Sequence, residues 1–89
     1  MNELHVSGVL VQSSPKNLSE ALQSLESLPG VEIYGSTDDG KIVTVVERDS
    51  DAELTDTFND IRNSDGVLSA SLVYHYSDQL QEQDEEGIR

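Results

Sequence analysis

Few side chains in this sequence could perform chemistry, and the two histidines come first among them. His5 and His75 lie near opposite ends of the chain. A pair of imidazoles with a nearby carboxylate can form a weak metal site. In a chain with 18 acidic residues, two surface histidines are the simpler interpretation. We therefore expect no bound metal and no cofactor.

An acidic segment around Asp49, Asp51 and Glu53 has the composition of a cation-binding loop. The spacing, central glycine and final glutamate of a calcium loop are absent, however. Ser50 and Glu53 have instead the spacing of a helix capping box, and acidic residues are favourable at a helix N-terminus. The segment therefore indicates the start of a helix.

No other combination of residues points to catalysis. The chain has no cysteine, which excludes thiol nucleophiles, thiolate metal sites and disulfides. Its serines, histidines and aspartates show no arrangement typical of a hydrolase. Gly8 and Gly40 are isolated, so a glycine-rich phosphate loop is absent. We predict that the protein is not an enzyme.

The charge of the chain restricts its partners. Five basic against 18 acidic residues give 89 residues a net charge of −13. Nucleic acids and anionic membranes need a basic surface, so we expect neither as a partner, whereas a basic peptide fits. No apolar run approaches the ~20 residues of a membrane span, and the N-terminus lacks the basic region of a signal peptide. We expect a cytoplasmic protein.

Hydrophobic periodicity predicts an alternation of strands and helices. A serine-proline pair opens the first helix, with Asn17 as a rival N-cap, and a proline-glycine pair ends it. The predicted strands are 4–13, 31–36, 42–47 and 67–76, and the apolar helix positions are Leu18, Ala21, Leu22, Leu25 and Leu28, then Leu54, Thr57, Phe58 and Ile61.

The two halves of this pattern also match each other at an offset of 36 residues, with Ser14 aligned to Ser50 and Leu25 to Ile61. The order β-α-β-β-α-β with such a repeat predicts an α+β, ferredoxin-like sandwich. Right-handed crossovers give a four-stranded antiparallel sheet of order 4-1-3-2 with both helices on one face. We assign this domain to residues 1–76. Residues 77–89 hold five acidic residues against one arginine, which predicts a disordered acidic tail.

One face of the sheet is left without helices, and its central strands are apolar. On the last strand, the alternation places Leu68 and Tyr74 toward the helices and Val67 and His75 on the other face. Placing Val9, Val11, Val43 and Val45 toward the helices leaves a predicted peptide-binding set on the other face. The reversed assignment would turn Val43 and Val45 outward instead. The predicted set is Val6, Gly8, Leu10, Ile42, Thr44, Val46, Ser69, Ser71 and Val73. An exposed apolar patch marks a contact surface for a partner or for a second copy, so we expect a monomer or a weak homodimer.

Four segments resemble the NapD family, the cytoplasmic chaperones of the periplasmic nitrate reductase. They occur in the family's order and at its spacing, and the resemblance spans residues 5–76. The most specific is the last strand, GVLSASLVYH at 66–75; the others are SGVLVQ at 7–12, LPGVE at 28–32 and GKIVTVVE at 40–47.

The resemblance implies a ferredoxin-like fold and binding of the twin-arginine (Tat) signal peptide of the nitrate reductase catalytic subunit. It also implies that export is restrained until the molybdenum cofactor is inserted. Such a peptide has a basic and an apolar region, which suit an apolar groove rimmed by carboxylates. Strand addition along an edge of the sheet is a rival mode. The alternative function is a small-molecule, amino-acid-type regulatory domain that acts as a dimer.

Overall fold

The computed structural model describes residues 4–78, and its elements follow the predicted order. The four strands form one antiparallel sheet of order β2-β3-β1-β4, which is the predicted order read from the opposite edge. The ferredoxin-like prediction is confirmed. The elements are β1 (Leu4–Ser13), a 3₁₀ turn (Pro15–Asn17), α1 (Leu18–Glu26), β2 (Val31–Ser36), β3 (Lys41–Arg48), α2 (Asp51–Arg62) and β4 (Val67–Asp78).

The helices begin where the sequence places their caps. The hydroxyl oxygen of Ser50 accepts a hydrogen bond of 3.1 Å from the backbone N–H of Glu53, which satisfies one unpaired donor of α2. The first helix is split, because Pro15 starts a 3₁₀ turn and Asn17 then precedes α1. Neither helix within residues 4–78 is long and apolar enough to cross a membrane.

The core lies between the helices and one face of the sheet. Each large aliphatic side chain buried there stabilises the fold by roughly 1.5–3 kcal/mol relative to an exposed one. Its fully or almost fully buried members are Val9, Val11, Ala21, Leu25, Ile42, Val46, Leu54 and Ile61.

The predicted orientation is right for β1 and wrong for β3. Ile42, Thr44 and Val46 are at most 1% exposed and face the helices, and Thr44 donates a buried hydrogen bond of 2.9 Å to the carbonyl of Val9. Val43 is 50% exposed on the opposite face. The three residues predicted outward are therefore core residues.

A one-residue difference between the two halves explains the error on β3. The helices keep the offset of 36, but the helix-facing residues Val9 and Val11 of β1 correspond to Thr44 and Val46 of β3, at an offset of 35. Ser13 ends β1 directly before Ser14, whereas Asp49 separates the end of β3 from Ser50. The extra residue shifts the strand equivalence to 35, and a shift of one residue moves every side chain to the other face.

Two irregularities in β4 change its orientation as well. Val9 pairs with Leu72 but Gly8 pairs with Tyr74, so Val73 is an extra, bulged residue. Beyond the bulge, Tyr74 faces the open side and His75 faces the helices, the reverse of the prediction. A second shift near the start of β4 leaves Leu68 69% exposed, while Val67 packs on the core, again the reverse of the prediction.

The boundary between domain and tail falls near the end of the described chain. The last strand continues to Asp78, two residues past the predicted limit of the domain. The rest of the predicted tail, residues 79–89, lies outside the described residues.

Candidate peptide-binding face

The floor of the candidate site is apolar and is formed by the two central strands. On the open face Leu10 pairs with Val43, and Gly8 pairs with Val45. Leu10 is 37% exposed and Val43 50% exposed, although both occupy the middle of the sheet. Large apolar side chains left open at the centre of a sheet are typical of a contact surface.

Two tyrosines from the edge strands form the walls. Tyr34 of β2 and Tyr74 of β4 line a groove of about 420 Å³ over the central strands. Tyr34 sits at the irregularity of β2, and Tyr74 follows the bulge at Val73. Because Gly8 has no side chain, the ring of Tyr74 can lie directly over it; a methyl group there would collide with the ring.

One end of the open face is acidic. Glu32 pairs with Val45, and Glu47 pairs with Val6, so both carboxylates lie on the groove side and both are exposed. A second, shallower cavity of about 380 Å³ adjoins Glu32, Glu47 and Asp49. This end of the groove can therefore bind a cationic group.

The other end carries a neutralised pair of charges. The Thr37 hydroxyl donates to the Asp39 carboxylate, and Lys41 Nζ donates to the same group at 2.9 Å. These contacts, the hydroxyl first, hold the pKa of Asp39 below its usual range. Asp39 therefore stays charged and offsets Lys41, so the open face becomes more acidic from this end toward Glu47.

The structure brings six of the nine predicted binding residues together on this face. Ile42, Thr44 and Val46 lie beneath the sheet against the helices, as described above, and are not available to a peptide. The six on the open face are Val6, Gly8, Leu10, Ser69, Ser71 and Val73.

The predicted set lacks four residues that complete the groove, although the reversed assignment placed the two valines on the open face. They are Tyr34, Val43, Val45 and Tyr74. A signal for the two valines was present in the sequence. Lys41 and Glu47 share their alternation, and charged residues at both ends of a strand mark its solvent face. For Tyr74 there was no such signal, because a bulge is not visible in the alternation of residues.

Comparison with known proteins agrees with this fold. A family model described as NapD protein matches residues 4–79. The chaperone NapD of Escherichia coli K12 is 37% identical over 82 residues, which cover 91% of each chain. The chaperone NapD of Haemophilus influenzae is 34% identical over 76 residues, covering 84% of this chain and 82% of the relative.

Solved structures show the same architecture. The solution structure of the E. coli Tat proofreading chaperone protein NapD matches with a TM-score of 0.76 and 36% identity, over 97% of this chain and 88% of that one. A transcriptional regulatory protein of the ASNC family from Pyrococcus furiosus matches with a TM-score of 0.63, over 92% of this chain and 55% of that one. At 18% identity the second likeness concerns the fold alone.

The family model and the curated chaperones cover nearly the whole described chain, and they agree with the segments that carried the resemblance. The protein is thus a chaperone and not an enzyme, as the sequence predicted. The chain belongs to the NapD family.

Proposed function

We propose that the open sheet face binds the Tat signal peptide of the periplasmic nitrate reductase catalytic subunit in the cytoplasm. In this proposal, binding restrains export until the molybdenum cofactor has been inserted into the subunit. The E. coli relative is a Tat proofreading chaperone, which supports a signal peptide as the ligand. For this chain the proposal rests on one observation, an apolar groove that is acidic at one end.

The apolar part of the groove suits the hydrophobic region of a signal peptide. Four strands spaced ~4.8 Å apart give a floor about 14 Å wide between β2 and β4, and a helix with its side chains measures about 10–12 Å. Tyr34 and Tyr74 stand on either side of that width. Burial of ~300 Å² of apolar surface would contribute about 7 kcal/mol before the entropy of association is subtracted.

The acidic end suits the twin arginines. A guanidinium group can donate two parallel hydrogen bonds to one carboxylate, so Glu32 and Glu47 can bind one arginine each. Both lie at the end of the groove where Val6 begins the apolar floor. In this proposal the peptide lies with its basic region at Glu47 and its apolar region over Leu10 and Val43.

A calorimetric titration tests the proposal at the acidic end. Glu47→Gln removes one negative charge beside the groove, and Asp56→Asn removes one from an exposed position of α2. With a synthetic Tat signal peptide, we expect Glu47→Gln to raise Kd about tenfold, the effect of losing one charge-assisted contact, and Asp56→Asn to change it less than twofold. Equal effects of both variants would mean that the acidic surface acts only through its overall charge.

Salt and ligand controls separate the remaining alternatives. Association should slow markedly between ~50 and ~300 mM salt, because the net charge attracts a basic peptide at long range. A panel of free amino acids should give no heat of binding. Binding of one of them would favour the amino-acid-type regulatory function. Peptide binding by Glu47→Gln with an unchanged Kd would favour strand addition at an edge.

The exposed groove also bears on the oligomeric state. A second copy could cover the apolar floor, but each chain carries a net charge of −13, which opposes association. We therefore propose a monomer or a weak homodimer that dissociates when peptide binds. Sedimentation with and without peptide measures this directly, and a dimer that persists with bound peptide contradicts a shared surface.

A further inference from the structure

On the helix side of the sheet, three elements bring potential metal ligands together. His5 lies near the start of β1, Asp51 is the first residue of α2, and His75 lies on β4. The bulge at Val73 turns His75 to this side, where it is adjacent to Ser7 in the sheet. The sequence placed the two histidines on neighbouring strands but could not place Asp51 between them.

The distances within this group are short. Asp51 Oδ1 lies 3.9 Å from His5 Nδ1 and 3.8 Å from His75 Nε2. The imidazole rings are 6.1 Å apart, and one ligand atom from each of the three residues lies within 4.8 Å of the others. Both histidines thus present a ring nitrogen to the same carboxylate.

We propose that His5 Nδ1, His75 Nε2 and a carboxylate oxygen of Asp51 bind a transition-metal ion, with Zn²⁺ as the best match. Two imidazoles and one carboxylate suit zinc, whereas magnesium and calcium prefer oxygen ligands only. Zinc bonds of 2.0–2.2 Å in a tetrahedron place ligand atoms about 3.4 Å apart. Asp51 has to approach each histidine by about half an ångström, and its largely exposed side chain has room to do so. The two ring nitrogens, which lie within 4.8 Å of each other, have to approach by about one ångström more, and the partly exposed ring of His75 can make that movement.

The surroundings of the group suit a metal site with three protein ligands. A cavity of about 130 Å³ opens beside Asp51 and His75 and can hold a water molecule as the fourth ligand. Ser7 Oγ lies 3.4 Å from His75 Nδ1. With Nε2 on the metal, Nδ1 carries the proton and can donate a hydrogen bond to Ser7 Oγ, which orients the ring as outer partners do in zinc sites.

The local charges also favour a cation. Arg48 is the cross-strand partner of His5, but its guanidinium group turns away to donate a bond of 2.7 Å to Thr57 and to approach Glu53 at 3.7 Å. Because that arginine is paired with other groups, it contributes little positive charge at Asp51, and the net charge of −13 favours a cation.

Titration of the full-length, tag-free chain with ZnCl₂ tests this site. We expect one equivalent to bind, and His75→Gln and Asp51→Asn each to weaken binding at least tenfold. Asp56→Asn, an exposed change on the same helix, should have no effect. These two ligand variants are preferred to His5→Gln because His5 is only 4% exposed and its replacement could unfold the chain.

Two further measurements make the outcome decisive. Co²⁺ should give the visible absorption of a four-coordinate ion in the wild type and lose it in His75→Gln. Saturating Zn²⁺ should raise the thermal midpoint of the wild type by several degrees, because the metal joins β1, α2 and β4. Unchanged zinc affinity in both ligand variants, or no binding to the wild type, would overturn the proposal. Peptide binding is a separate readout, since the groove lies on the opposite face.

Discussion

Adjacent residues of β3 offer a sharp test, because they lie on opposite faces of the sheet. Val43 is 50% exposed at the centre of the groove, and Ile42 is fully buried under the helices. We expect Val43→Asp to leave the domain folded but unable to bind the peptide. Ile42→Asp should instead unfold it.

The magnitudes follow from the burial of each side chain. Full burial of a valine contributes roughly 1.5–3 kcal/mol, so covering the exposed half of Val43 contributes about 1 kcal/mol to binding. Val43→Ala should therefore raise Kd about fivefold. Val43→Asp adds the desolvation of an unpaired carboxylate, which costs several kcal/mol, and should raise Kd more than 100-fold.

The sign of the charge makes this result specific. Val43→Asp gives an already acidic protein one more negative charge, which can only increase its long-range attraction for a basic peptide. A loss of binding therefore has to arise from local burial in the groove. At Ile42 the same carboxylate would enter the core, where its cost is comparable with the whole ~5–15 kcal/mol that stabilises a small domain.

The assay combines thermal unfolding by circular dichroism with fluorescence anisotropy of a labelled signal peptide. Ile42→Val, which removes one methylene and costs about 0.5–1.5 kcal/mol of stability, is the folded control and should bind normally. If Val43→Asp unfolds and Ile42→Asp does not, the face assignment is wrong. A folded Val43→Asp that binds with the wild-type Kd would falsify the groove as the peptide site.

Two other predictions concern the groove wall and the end of the chain. Gly8→Ala should keep the fold but displace the ring of Tyr74 and raise the Kd for the peptide about tenfold. Gly35→Ala should change the Kd little, because no atom lies within 4 Å of the added methyl group. Equal Kd values for the two variants in a binding titration would contradict this role of the ring. Truncation after Asp78 should shift the thermal midpoint by no more than a few degrees, and a calorimetric drop of ten degrees would show that the removed residues stabilise the domain.

The sequence predicted the order of elements and the sheet topology because both depend on features that repeat along the chain. Helix caps, glycine turns and apolar stripes occur twice at the same spacing, and Ala21 and Thr57 are both buried as the repeat requires. On β3 the same repeat predicted the wrong face. The added residue Asp49 lies in the connection between β3 and α2, and its presence does not change the apolar pattern of the helix. The face toward which a side chain points depends on how its strand pairs, and that pairing can be read only from the folded sheet.

The bulges explain both what the sequence could not predict and why the open face is the stronger candidate site. An extra residue at Val73 places Tyr74 over the groove and His75 on the helix side, so one irregularity builds a wall of the groove and completes the histidine group. On the other edge, the irregularity at Tyr34 positions the second wall. Bulges also twist an edge strand and interrupt its hydrogen-bonding pattern, which disfavours the addition of another strand. Because both edges carry them, we expect a peptide to bind over the central strands and not along either edge.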